Sequence, residues 1–229
     1  MGVAPGGAVP RRLLPDDGDL DSPAADSEEE MIMDTYRTFI AIPLPADILA
    51  QLSAIQADLS RRVPDGSVRW VRPEGIHLTL KFLGDTPVAK LPAIEEALTV
   101  VARHAPPCPF IVEGLGCFPN TRRPRVVWVG VREETGRLAA LRDAIEEAMA
   151  AFGYERERRK FSPHLTLGRV RRKVSRDDVA QVGAVVAGTE VGRLGEVAAA
   201  RFAFIRSILK PTGAEYVTLR EFTLARRGG

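Results

Sequence analysis

Two copies of one tetrapeptide carry most of the chemistry open to this chain: His77-Leu78-Thr79-Leu80 and His164-Leu165-Thr166-Leu167. The 229 residues include only three histidines, and two of them stand in these copies. Both copies lie in apolar stretches, 76–83 and 163–170, that read as β-strands. Residues two apart in a strand share a face. His77 therefore stands beside Thr79 and His164 beside Thr166, while the intervening leucines point into a core. Two imidazoles with ordinary pKa values near ~6.5 can divide labour at neutral pH, one as base and one as acid. That division suits displacement at phosphorus: the base takes a proton from the attacking oxygen and the acid gives one to the leaving oxygen. Both threonine hydroxyls can donate to non-bridging phosphate oxygens, where transition-state charge collects. A purely structural pair of half-buried strand histidines explains one His-x-Thr well and a matched pair poorly.

The same histidines could give two metal ligands, but a catalytic zinc site usually has three protein ligands. The third histidine, His104, sits at a helix end before Ala105-Pro106-Pro107, where the helix dipole favours it. No metal-ligand spacing is present, and neither a metal nor another cofactor is expected.

The elements that must hold the two motifs can be read from periodicity. A short apolar strand at 38–42 is ended by Pro43 and Pro45. Residues 46–62 read as an amphipathic helix with Ile48, Leu49, Leu52, Ile55 and Leu59 on one side. A strand at 68–71 precedes the first motif, and a helix is expected over 87–104. Strands at 110–118 and 125–131 flank the turn-rich segment 119–124. A third helix spans 133–152 and ends at Gly153, and the second motif follows. Helix 175–187 has Ser175 as N-cap with Asp177 and Asp178 in its first turn. Strands 197–209 and 216–224 close the chain around Pro211-Thr212-Gly213. Each half thus has helices, strands and one motif, the two histidines being 87 positions apart. An internal duplication would bring the motif strands together across a cleft.

Charge divides unevenly. Residues 1–34 carry two basic against nine acidic residues, net −7, and the remainder carries 30 against 21, net +9. The leader 1–34 lacks periodicity and apolar content and is expected to be disordered. One bilobal domain is expected over 35–229. Its basic balance suits a phosphate-bearing partner. No apolar run reaches bilayer length, and the N-terminus lacks a signal-type apolar run. Cys108 and Cys117 are expected to be free thiols. The reading is a cytoplasmic monomer with no membrane partner.

The motifs and their flanks resemble the 2H phosphoesterase superfamily, with its paired H-x-T-x motifs, and within it the RNA 2′,3′-cyclic phosphodiesterases, also called the 2′-5′ RNA ligase family. The likeness runs over about 37–224. It rests on Phe39-Ile40-Ala41-Ile42-Pro43, Val68-Arg69-Trp70-Val71, His77 to Gly84, Arg125-Val126-Val127-Trp128, Phe161 to Arg169, Ser207-Ile208-Leu209, Gly213 and Tyr216. The resemblance implies an α+β fold, bilobal and pseudo-two-fold, with antiparallel sheets lining a central groove and helices outside. It implies hydrolysis of 2′,3′-cyclic phosphate ends of RNA or nucleotides to 2′-phosphomonoesters, with reversible 2′-5′ ligation as a companion activity. It also implies His77 as proton donor and His164 as proton acceptor.

Further substrate contacts are expected from residue type. Arg169 and Arg125 could clamp phosphate with a bidentate fork, or be surface arginines. Phe161 and Trp70 could stack on a base, or fill core. Strand alternation puts Lys81 on the His77 side, within reach of phosphate. The rival readings are a non-catalytic RNA-binding module, which the intact histidines and threonines argue against, and a phosphodiesterase for another cyclic nucleotide derivative.

Overall fold

The computed structural model describes residues 34–211 and 213–225. The expected disordered leader, apart from Asp34, lies outside the described residues. Strand β1 (Thr35–Pro43) leads into helix α1 (Ala46–Arg62), which buries Ile48, Leu52, Gln56 and Leu59 at spacings of three and four. β2 (Val68–Trp70) precedes β3 (His77–Pro87), α2 (Leu91–His104) and β4 (Cys108–Phe118). Then come β5 (Val126–Arg132), α3 (Arg137–Ala150), β6 (His164–Val170) and α4 (Arg176–Ala187). The last strands are β7 (Arg193–Ala199), β8 (Arg201–Lys210) and β9 (Gly213–Thr223).

All strand pairs are antiparallel, in the order β7-β4-β5-β6-β3-β1-β8-β9, with β2 beside β6. The order is symmetrical about the β6–β3 junction. One half runs β1-α1-β3-α2-β4 and the other β5-α3-β6-α4-β8. In each, the final strand crosses over: β4 pairs with β5, and β8 pairs with β1. Each wing of the sheet therefore needs strands from both halves.

The helices obey the same exchange. α1 lies under β6, where the buried Gln56 amide donates to the Val71 and Leu167 carbonyls at 2.8 and 2.7 Å. α3 lies under β3, where it buries Glu146. One continuous core joins the helices to the leucine side of the sheet, including Leu78, Leu80, Leu165 and Leu167. On the opposite side a small separate cluster holds Phe39, Ala41, Ala203 and Ile205.

β1 and β9 each begin three residues before the expected strand, and three further departures from the sequence reading have a clear physical reason. The helix expected from 87 starts at Leu91, because β3 continues to Pro87 paired with Thr35, and a 3₁₀ turn (Val88–Lys90) intervenes. The helix expected from 133 starts at Arg137, with the Glu133 carboxylate accepting from the Thr135 and Arg137 amides ahead of it. The single strand expected over 197–209 is two strands broken at Ala200. β7 pairs with β4 in one wing and β8 with β1 in the other. The run Val197 to Arg206 holds no Gly, Pro, Asn, Asp or Ser to mark a turn, so only tertiary pairing separates them. Ser175 caps α4 as expected, accepting from the Asp178 amide at 3.0 Å.

α4 approaches the 119–124 turn closely. A Cβ on Gly183 would lie 1.8 Å from the Thr121 carbonyl oxygen. Gly183→Ala is expected to cost more than about 2 kcal/mol by overpacking, read as a lower urea midpoint. Gly188→Ala, whose Cβ would sit at 3.4 Å from its nearest neighbour, serves as the tolerated control.

Candidate active site

β3 and β6 pair at one position, Leu78 with Leu165. These are the matching central residues of the two motifs, so the pseudo-dyad passes between them. Antiparallel register then sets His77 opposite Thr166 and His164 opposite Thr79. Both leucines are fully buried on the helix side, which turns both histidines and both threonines to the other face. Diagonal neighbours on such a pair stand roughly 7–8 Å apart, the relation that register gives His77 and His164. The two motifs thus converge on one face.

Each motif strand carries a bulge directly after its threonine. Opposite β1, Ile40 pairs with Lys81 and Ala41 with Thr79, leaving Leu80 extra. Opposite β5, Val127 pairs with Gly168 and Trp128 with Thr166, leaving Leu167 extra. A bulge sets two residues against one and breaks the alternation of faces. Arg169, five residues from His164, is thereby paired with Val126 on the histidine face, and Phe82, five from His77, is paired with Phe39 there.

Lys81 goes the other way, which corrects the expectation that it faces phosphate. It is 6% exposed on the helix side, where its ammonium donates to Glu146 Oε2 at 2.6 Å and to the Glu155 carbonyl at 2.8 Å. Glu146 also accepts from the Glu157 amide and pairs with Arg142. Lys81 is therefore a strut from the first motif to the segment that leads into the second. Its counterpart Gly168 has no room for a side chain, since a Cβ there would lie 2.6 Å from Val68 and 2.9 Å from Trp70.

Both imidazoles are held alike. The His164 Nδ1–H donates to the Ser162 carbonyl at 2.8 Å, which leaves Nε2 with its lone pair. His77 is similarly hydrogen-bonded to the backbone of Gly75, also two residues before it. Phe39 stacks on the His77 ring at 4.6 Å and Tyr216 meets it edge-on at 5.2 Å. Phe118 meets His164 edge-on at 4.8 Å and packs on Trp128. Burial disfavours the charged ring. It pulls His77 down to about 4, against the Gly75 hydrogen bond. Burial also lowers His164, against the Ser162 hydrogen bond, and the Arg169 charge adds to the lowering. Both rings are thus neutral at pH 7 in the free protein.

The other expected contacts are scattered. Trp70, paired with Gly168, packs against the main core and also borders, with Arg169, a cavity of about 470 Å³ beside the histidine face. Phe161 instead packs against the main core with the Arg142 guanidinium 5.7 Å from its ring centre, so base stacking by Phe161 is withdrawn. Arg125 lies in a bend just before β5 and is exposed. Its amide and carbonyl bond to Phe118 and Val170. Sequence reasoning missed Phe39, Tyr216, Phe118 and Trp128 as neighbours of the imidazoles, because they come from four other strands. Cys108 and Cys117 are buried and unpaired. Among the described residues no helix is long and apolar enough to cross a membrane, and no group of three or more His, Cys, Asp or Glu is placed to share a metal ion.

The family model of LigT-like phosphoesterases matches the chain twice, over residues 42–128 and 129–216, each match taking in one motif. An RNA 2′,3′-cyclic phosphodiesterase of Archaeoglobus fulgidus is 37% identical over 186 residues, spanning 81% of this chain and 99% of its own. A protein of the same name from Thermotoga maritima is 36% identical over 185 residues, with 81% and 94% covered. Among solved structures, TT0787 of Thermus thermophilus aligns with a TM-score of 0.68 at 28% identity, covering 84% of this chain and 100% of that one. E. coli LigT complexed with 3′-AMP aligns with a TM-score of 0.66 at 25% identity, covering 83% and 99%.

Unfolding experiments test both the lysine strut and the buried ring. Lys81→Ala leaves a buried carboxylate with only Arg142 and the Glu157 amide and is expected to cost about 3 kcal/mol in urea unfolding. A phosphate-binding Lys81 would leave stability unchanged and raise KM. Because the folded pKa of His77 lies below its unfolded value, the unfolded state binds more protons between about 6.5 and 4. The resulting stabilisation is complete above the unfolded pKa and is lost as pH falls through that window. Between pH 7 and 5 His77 should contribute a loss of about 1–2 kcal/mol. His77→Asn should show a correspondingly smaller loss, and an equal loss would place the titrating group elsewhere.

Proposed function

The chain belongs to the LigT-like phosphoesterases, and from that premise we propose that it hydrolyses 2′,3′-cyclic phosphate ends of RNA or nucleotides to 2′-phosphomonoesters. The Leu78–Leu165 register, which brings two imidazole–hydroxyl pairs to one face, is the observation that carries this reading. The cyclic phosphate lies between the rings. His164 Nε2, freed by the Nδ1 bond to Ser162, takes a proton from the attacking water. Water oxygen bonds to phosphorus, the P–O3′ bond breaks, and His77 gives its proton to O3′. The products are a 2′-phosphomonoester and a 3′-hydroxyl. Thr79 and Thr166 donate to the non-bridging oxygens, and Arg169 adds positive charge from the same face.

The neutral state of His77 in the free protein fits a donor charged by its substrate. An anion held between the rings stabilises imidazolium, so binding draws a proton onto His77. The product-side proton left on His164 then exchanges with solvent. The reverse reaction, a 5′-hydroxyl attacking the cyclic phosphate, uses the same two protons and gives a 2′-5′ linkage. A cytoplasmic, monomeric enzyme is the state in which we expect this chemistry.

His77→Ala and His164→Ala are each expected to lower kcat for a 2′,3′-cyclic nucleotide by ~10²–10⁴-fold while circular dichroism stays native. Near wild-type turnover by either variant would remove the pair from catalysis. Chromatography of the product separates the 2′ isomer that this mechanism requires from the 3′ isomer.

A further inference from the structure

The histidine face continues past Tyr216 into the 470 Å³ cavity, which Arg69, Arg72 and Arg169 line with Trp70, Gly75 and Tyr216. Arg69 and Arg169 are direct partners in the β2–β6 ladder. Paired residues share a face, so two guanidinium groups stand side by side, and like charges directly opposite destabilise a sheet. Arg72 enters from the segment between β2 and the 3₁₀ turn (Pro73–Gly75). Among the described residues none of the three lies within ion-pairing distance of a carboxylate. Glu74 and Glu215 also border the cavity, but Glu215 is taken by Lys210 at 2.6 Å. Glu74 borders the cavity without ion-pairing any of the three arginines, and a cross-strand arginine pair with no carboxylate within ion-pairing distance favours an anion between its forks.

The cavity shares Gly75 and Tyr216 with the surroundings of His77. An anion there would lie next to the cyclic phosphate without displacing it. At the position matching Arg169 the first motif presents Phe82, 64% exposed, in place of a charge.

We propose that the Arg69–Arg72 end of the groove is a second anion subsite, which holds the phosphodiester next to the terminal cyclic phosphate of an RNA chain. This rests on the hydrolase reading above. It makes the enzyme selective for oligonucleotide ends over cyclic mononucleotides, with Arg169 shared between the two phosphates.

The test compares kcat/KM for a 2′,3′-cyclic mononucleotide, which has no second phosphate, with that for a trinucleotide ending in the same cyclic phosphate. Wild type should prefer the trinucleotide by roughly tenfold or more at low salt, and the preference should shrink as salt rises. R69Q/R72Q should lose that preference through KM and keep wild-type turnover of the mononucleotide, which also certifies its fold. Equal wild-type use of both substrates, or a variant that loses both alike, overturns the subsite. Hydrolysis of neither substrate by wild type overturns the hydrolase reading instead. The subsite is then decided by fluorescence binding of the labelled trinucleotide, which R69Q/R72Q weakens roughly tenfold if the subsite exists and leaves unchanged if it does not.

Discussion

The pairing of Leu78 with Leu165 is the constraint on which the rest depends. It is the one ladder position joining the two motif strands, and it sits where a pseudo-dyad requires it. With those leucines buried among the helices, both imidazoles and both hydroxyls must emerge on the other face. The exchange of β4 and β8 between wings supports this junction from both sides. Separating the two halves of the chain would mean breaking both wings, since each contains strands from both halves.

The paired bulges then decide what surrounds the imidazoles. By adding Leu80 and Leu167 to their strands, they reverse the side on which the following residues fall. The duplication keeps the bulge and changes its use. In the first motif it drives Lys81 into the core to anchor the segment before His164. In the second it leaves Gly168 against Trp70 and Val68 and turns Arg169 outward. Aromatic rings flank both histidines, Phe39 and Tyr216 at His77 and Phe118 at His164, and five residues beyond them the first motif presents Phe82 where the second presents Arg169, so a symmetrical scaffold yields an acid and a base with different neighbours.

The strand character of both motifs, their shared histidine–threonine faces and the duplication were legible in the sequence, because each follows from alternation, periodicity or a repeat, while the α+β class came from the family resemblance. Lys81 and Phe161 were misplaced for a definite reason. Alternation assigns Lys81 to the His77 side, and only the partner strand reveals the extra Leu80. Phe161 stands before its strand, where no period applies, and Arg142 decides its packing. The break at Ala200 and the pairing of Arg69 with Arg169 were likewise invisible, since both are set by which strands meet. The family resemblance supplied the direction of proton transfer, which spacing alone left open.

Electrostatics links the geometry to turnover. Aromatic packing keeps both rings neutral in the free protein, so the anion itself must create the acid. The most direct test is a pH titration of the two imidazoles by ¹H–¹⁵N NMR, with and without a saturating 2′-phosphorylated nucleotide. The account predicts that both titrate below 6.5 in the free protein, His77 near 4, and that the bound phosphate moves both upward together. A phosphate that shifts only one ring, or neither, would contradict the claim that the two motifs enclose a single anion.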